Sequence, residues 1–115
     1  MSEGIDEEAL LALLDDDYAR SILVATSAEP MSANELSEEI DASVSTIYRR
    51  VERLKAHGLI EEQLRPQPDG NHYKVYASTL DSVEVSFDDG DVSLTVERRP
   101  EDDPADRFTR MWEEL

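Results

Sequence analysis

The sequence predicts a single α+β domain with its helices first and its strands after them, and three observations carry that prediction. Val44, Ile47, Val51 and Leu54 fall at spacings of three, four and three, which places them on one stripe of an amphipathic helix. Ser32-Ala-Asn-Glu35 has the form of a capping box, which opens another helix just upstream. Beyond Gly58 the apolar period changes to alternation, and two turn-forming clusters divide the alternating run into two hairpins. At 115 residues the chain is near the commonest size for one domain.

In chain order, Glu7 to Leu14 reads as a short helix with Leu10, Leu11, Leu13 and Leu14 apolar. Four leucines in five residues exceed what one face can bury in so small a domain, so some are expected between copies of the chain, Leu10 and Leu14 first. Asp15 or Asp16 caps a second helix, roughly 17–27, with Tyr18, Ile22, Leu23 and Ala25 inward. Pro30 separates it from a third, which runs from the capping box to about Ile40 with Leu36 and Ile40 inward. Asp41-Ala42 is a tight turn. Ser43 then caps the helix that carries the first stripe, and Gly58 supplies the left-handed residue that ends it.

That fourth helix has a second face. Ser45, Thr46, Arg49, Arg50 and Arg53 lie off the apolar stripe, so two hydroxyls near the start are followed by three guanidiniums. Residues 42–58 carry +3 in a chain of −17, which leaves −20 for everything else. A helix, a short turn and a second, basic helix form the layout that sets a recognition helix in the major groove.

Leu59 to Arg65 and Asn71 to Ser78 are expected strands around Pro66-Gln-Pro-Asp-Gly70, with Arg65, His72 and Lys74 flanking the tip. In a second hairpin Val83, Val85 and Phe87 alternate, as do Val92, Leu94 and Val96, around Asp88-Asp-Gly-Asp91, and its outward residues are polar or acidic. A sheet with one wet face is expected there. Arg98-Arg99 closes this hairpin, and Pro100-Glu-Asp-Asp-Pro104 follows as a stiff acidic linker. In the last segment Phe108, Met111, Trp112 and Leu115 make a single apolar stripe that includes the only tryptophan. A helix that short is marginal alone and must dock, on its own second hairpin or on a second copy.

The run from Met31 through Tyr76 resembles a winged helix-turn-helix of the ArsR-like group of prokaryotic transcription regulators, especially its small acidic members from salt-loving archaea. The resemblance rests on Ser43-Val-Ser-Thr-Ile-Tyr-Arg-Arg-Val-Glu-Arg-Leu54, on Gly58-Leu-Ile60 and on Asp69-Gly-Asn-His-Tyr73. It implies a winged helix-turn-helix over residues 1–79. The additional β-hairpin, read as scaffold, and the C-terminal helix with its apolar stripe, over 80–115, are expected to form a dimerisation extension of the same domain. Many members of the group sense metals through cysteines near the start of the helix before the recognition helix. Here that place reads Asn34-Glu-Leu-Ser-Glu38, so metal sensing loses its ligands.

Charge and composition narrow the function further. The chain has 28 acids and 11 bases, with Lys55 and Lys74 its only lysines. Such a balance ordinarily argues against nucleic acid. The alternative is that the carboxylates keep the protein hydrated in molar potassium, where the Debye length is about 3 Å. The second explanation fits better, because the acids are scattered over every expected exposed face while the helix with three arginines is spared. With no cysteine there is no disulfide or thiolate site, and neither an apolar run of membrane length nor a basic leader is present. A soluble cytoplasmic protein is expected. No glycine-rich phosphate loop occurs, there are only two histidines, and the paired carboxylates are too many to be informative. Neither an enzyme nor a cofactor is expected.

The reading that results is a homodimer on a palindromic double-stranded DNA operator, acting at high salt. Ser43, Ser45, Thr46, Tyr48, Arg49, Arg50 and Arg53 would contact the groove and its phosphates, an inward role for Tyr48 being the open alternative, and Arg65, His72 and Lys74 would hold the wing on the backbone. Loss of either Arg49 or Arg50 is expected to weaken binding with the fold unchanged. Leu10, Leu14, Phe108, Met111, Trp112 and Leu115 would join the two copies, and potassium or another cation would be taken up where carboxylates approach phosphate. The alternative is a winged-helix module that binds a protein of the transcription machinery, with Phe108, Met111 and Trp112 as its docking stripe.

Overall fold

A computed structural model describes residues 7–68, 70 and 72–99. Four helices come first: α1 (Glu7–Asp15), α2 (Asp17–Ala28), α3 (Ala33–Ile40) and α4 (Val44–Ala56). Two antiparallel hairpins follow, β1 (Ile60–Pro66) with β2 (His72–Ser78) and β3 (Leu80–Asp88) with β4 (Asp91–Arg98). This is an α+β winged helix-turn-helix, with β1–β2 as the wing and β3–β4 as an addition to it. No helix among the described residues is long and apolar enough to cross a membrane.

Local chemistry sets each boundary. The Asp16 carboxylate accepts the Ala19 amide at 2.9 Å, so Asp16 is the residue that caps α2. The capping box of α3 is complete: the Ser32 hydroxyl accepts the Glu35 amide and the Glu35 carboxylate accepts the Ser32 amide. Asp41 takes the left-handed conformation at φ 61°, and its amide donates to the Ser37 carbonyl, which stops α3 and allows the tight turn into α4. Gly58 sits at φ 70° past the end of α4, as its position after the helix requires.

The core forms where the helical stripes meet the wing. Leu10 and Leu13 of α1, Ala19, Ile22 and Leu23 of α2, Leu36 of α3, and Ile47, Val51 and Leu54 of α4 are buried together with Leu59, Ile60 and Tyr76. Burying an aliphatic side chain of this size contributes about 1.5–3 kcal/mol, so this cluster dominates the stability. A short antiparallel bridge between Met31 and Tyr76 ties the α2–α3 connection to the wing, with amide to carbonyl distances of 3.0 and 2.8 Å.

The second hairpin is fastened at its base. Arg98 donates to the carbonyls of His57 and Gly58, and Arg99 donates to those of Ser27 and Leu80. Each arginine thereby sits at the C-terminal end of a helix, α4 and α2 respectively, where the free carbonyls favour a cation. The turn Asp89-Gly90 has φ 52° and 79°, the geometry of a two-residue hairpin loop.

Three expectations are corrected. Leu10 is only 1 % exposed inside the chain's own core, so it is unavailable to a second copy, whereas Leu14 is half-buried at the edge of the core. Tyr18 is 39 % exposed because α2 turns Ala19 and Thr26 inward instead. The expectation of a single wet face on the second hairpin holds only at its base. Val83, Leu94 and Val96 pack against the core, but Val85, Phe87 and Val92 toward the tip are exposed. The stripe Phe108, Met111, Trp112 and Leu115 lies outside the described residues.

Candidate nucleic-acid interface

Helix α4 presents three sets of side chains, and its rotation on the core decides which set is free. With Ile47, Val51 and Leu54 turned fully inward, Ser45, Arg49, Glu52, Arg53 and Ala56 face outward. Arg49 and Arg53 make no hydrogen bond or ion pair through their guanidiniums among the described residues. They stand one helical turn apart and are open to a ligand.

The start of α4 gathers hydroxyls. The Ser43 hydroxyl accepts the Thr46 amide at 3.1 Å and lies within hydrogen-bond distance of the hydroxyls of Ser45 and Thr46, at 3.2 and 2.9 Å. Ser43 therefore holds the helix end in shape, while Ser45 remains exposed next to the first-turn amides that attract phosphate. Tyr48 is exposed on the flank facing away from Arg50. At the other end a ring nitrogen of His57 lies 2.9 Å from the Arg53 carbonyl, so that histidine closes the helix.

Arg50 has a different setting. Its Nε donates to the Asp16 carboxylate at 2.9 Å, and its guanidinium lies 5.7 Å from the centre of the Tyr18 ring. Both partners of the ion pair are about four-fifths covered. The Ala19 amide and the Arg50 charge together hold the Asp16 carboxyl below the usual carboxylate range, against the opposing effect of burial. The expectation that Arg50 is a free reader gives way to a tie between α4 and the start of α2.

Arg65 is likewise committed. Its guanidinium donates to Glu35 at 3.2 Å, to the Tyr73 hydroxyl at 2.7 Å and to the Pro30 carbonyl at 2.7 Å, with the Tyr73 ring 5.2 Å away. It joins the wing to the start of α3 instead of projecting toward a phosphate. The Ser32 amide, and after it the Arg65 guanidinium, hold the Glu35 carboxyl below its ordinary range.

Of the other wing residues, His72 is exposed opposite Pro66 near the tip, and Lys74 is exposed on β2. Glu62 receives Lys55 at 3.0 Å and Lys74 at 3.7 Å, which fixes the root of the wing to α4 and offsets part of its positive charge. The fold thus brings together Ser43, Ser45, Thr46, Arg49 and Arg53 on one helix, and turns Arg50 and Arg65 back into the protein. Sequence periodicity located the basic residues but missed their acidic partners, Asp16 for Arg50, Glu35 for Arg65, and Glu62 for Lys55 and Lys74. Asp16 and Glu35 gave a signal only as helix caps, which tied each to the start of a helix but not to its arginine. Among the described residues no group of three or more acidic or histidine side chains is arranged to hold a metal ion.

A family model described as a helix-turn-helix domain matches residues 14–63, the stretch from the end of α1 to the middle of β1. The fold is similar to the crystal structure of NolR from Sinorhizobium fredii, with a TM-score of 0.52 and 19% sequence identity over 64% of this chain and 68% of that one. No curated protein matches the chain.

Proposed function

We propose that this winged helix-turn-helix protein is a DNA-binding transcription regulator that acts as a homodimer on a palindromic operator at high salt. The observation that carries the proposal is the outward face of α4, where Arg49 and Arg53 are exposed and, among the described residues, unpaired, in a chain whose net charge is −17. Arginine suits the O6 and N7 of guanine, and Ser45, Thr46 and the first-turn amides suit phosphate. Tyr48 adds a phosphate hydrogen bond from the flank of the helix, and His72 and Lys74 meet the backbone from the wing. Two such guanidiniums on one helix are few for a specific site, and two-fold symmetry doubles them. The exposed Val85, Phe87 and Val92 of the extension offer a second copy an apolar surface. The ArsR-like character and the salt-loving origin belong to the same reading, supported by the acidic surface and by the residues of α4.

Salt dependence follows from the carboxylates. Glu52 is exposed beside Arg49 and Arg53, so a phosphate that approaches them also approaches a negative charge. Cation uptake there opposes the counterion release that ordinarily weakens binding as salt rises. Affinity is therefore expected to stay level or rise from moderate to molar KCl, and a steep ordinary decline contradicts it. The identifying experiment is selection from a random duplex pool in about 2 M KCl, where screening is nearly complete. Enrichment of a palindrome is expected. A folded protein that enriches nothing would replace this reading with that of a module for a protein partner.

A further inference from the structure

The second hairpin has two unlike faces. Cross-strand partners share a face, so the pairs Leu80↔Arg98, Val83↔Val96, Val85↔Leu94 and Phe87↔Val92 line one face with apolar side chains up to the turn. The pairs Ser82↔Glu97, Glu84↔Thr95, Ser86↔Ser93 and Asp88↔Asp91 make the other face polar. At its base the apolar face packs on the core through Leu80, Val83, Leu94 and Val96. Toward its tip it overhangs the core, which leaves Phe87 76 % exposed and Val85 and Val92 exposed beside it.

The same face begins at a groove of about 640 Å³ in the helices. Leu14 of α1, Val24 and Ala25 of α2, Ile40 of α3 and Leu80 of the hairpin line it, and Val24 is 70 % exposed. An apolar groove and an apolar tip thus stand at opposite ends of one strip. Leu80 and Phe87 are seven residues apart along β3, a distance of roughly 20–24 Å.

We infer that this strip is the contact between two copies of the chain, arranged antiparallel about a two-fold axis so that Phe87 and Val92 of each copy enter the groove of the other. The inference rests on the homodimer proposed above and names its interface. Shape points to a second copy as the occupant. Tip and groove are unmatched on one molecule, and a rotation about an axis midway along the strip satisfies both at once in a closed pair. Charge fixes the direction. The turn at the tip carries Asp88, Asp89 and Asp91, and parallel hairpins would bring two such turns together. In the antiparallel pair each turn approaches the end of the other copy that holds Arg98 and Arg99. Both arginines donate to backbone carbonyls, and among the described residues no carboxylate pairs with either. Glu39 on the groove's rim acts the other way, and molar salt weakens both effects, so apolar burial drives the association while charge selects its polarity. Helix α4 contributes nothing to the groove, which leaves its outward face to DNA.

Sedimentation velocity of the full-length protein without DNA, in about 2 M KCl where surface charge is screened, tests this interface. A reversible dimer is expected. Val24→Asp and Phe87→Asp change exposed side chains and should leave the far-ultraviolet circular dichroism as it is. Each should nevertheless raise the dissociation constant about thirtyfold or more, as for loss of a hot-spot contact. Leu64→Asp, equally exposed but on the wing, should dimerise like the wild type. A dimer that survives both of the first two substitutions would overturn this interface and leave the homodimer reading standing. A monomer at every concentration, as when another segment of the same chain fills the groove, would overturn both, and assemblies larger than a dimer would overturn the closed pair. The chain has no cysteine, so Val24→Cys chains and Phe87→Cys chains can be mixed and oxidised. Covalent dimers should contain one chain of each kind; bridges between two Phe87→Cys chains, or no bridge, contradict the exchange. Neither measurement involves DNA, so this inference and the DNA-binding reading fail independently.

Discussion

Arg49 and Arg50 are neighbours in sequence, yet the fold sets them to different work. Arg49 stands on the outer face of α4 with its guanidinium unpaired among the described residues, whereas Arg50, rotated by one helical step, is held by Asp16 and the ring of Tyr18. The wing repeats the contrast in weaker form, with Lys74 exposed and only loosely paired with Glu62 at 3.7 Å, and Arg65 locked among Glu35, Tyr73 and Pro30. A cation in a basic helix is available to a ligand only when no element packed beside it supplies an acid. In this chain the acids at helix starts decide that, because Asp16 and Glu35 each cap a helix and hold an arginine at once.

The largest expected effect lies on the open side of this contrast. Arg49→Ala combined with Arg53→Ala should weaken binding to a selected duplex by about 2–6 kcal/mol if both guanidiniums reach bases, and the melting temperature should not move. Next comes Arg65→Ala, which leaves Glu35 with the Ser32 amide alone and removes the guanidinium donor from the Pro30 carbonyl. A loss of about 1–2 kcal/mol is expected for charge-assisted hydrogen bonds that are partly open to water. At about 4–8 °C per kcal/mol, thermal unfolding would register it. Its DNA affinity, measured where the protein is folded, should stay near the wild type.

Arg50→Ala should cost about 1 kcal/mol, since its ion pair is only partly shielded, and Asp16→Asn should cost less because asparagine still caps the helix. The smallest effect is a pH dependence. Asp16 and Glu35 are both depressed in the folded chain. Their contribution is therefore complete above the ordinary carboxylate pKa of about 4 and is lost as the pH falls through their lowered folded values. Denaturant titrations of the wild type and Asp16→Asn at several pH values should show a stability gap near neutrality that closes below about pH 4. A gap that stays constant would mean that the Asp16 charge contributes nothing.

The apolar period and the capping signals made most of the fold legible in the sequence. Val44, Ile47, Val51 and Leu54 oriented α4 correctly, Ser32 and Glu35 marked the start of α3, and Asp89-Gly90 marked the second turn. Those signals are local, and each is complete within a few residues. Partners far apart in sequence carried no comparable signal, so Asp16 with Arg50 and Glu35 with Arg65, 34 and 30 residues apart, were not foreseen. Leu10 was misplaced for a related reason: a run of leucines does not say which of them faces the core, and the rotation of α1 against α2 turned Leu10 and Leu13 inward and left Leu11 exposed. The Met31–Tyr76 bridge was equally invisible, because a single pair of backbone hydrogen bonds leaves no side-chain pattern.

The central claim is that the outward face of α4 reads DNA while its flank holds the protein together, and adjacent arginines test it most directly. Binding isotherms of Arg49→Ala and Arg50→Ala should be recorded against one selected duplex at high salt, at a temperature where both variants are folded. Arg49→Ala should lose about 1–3 kcal/mol of binding, and Arg50→Ala should bind like the wild type. Equal losses, or a loss at Arg50 alone, would contradict it.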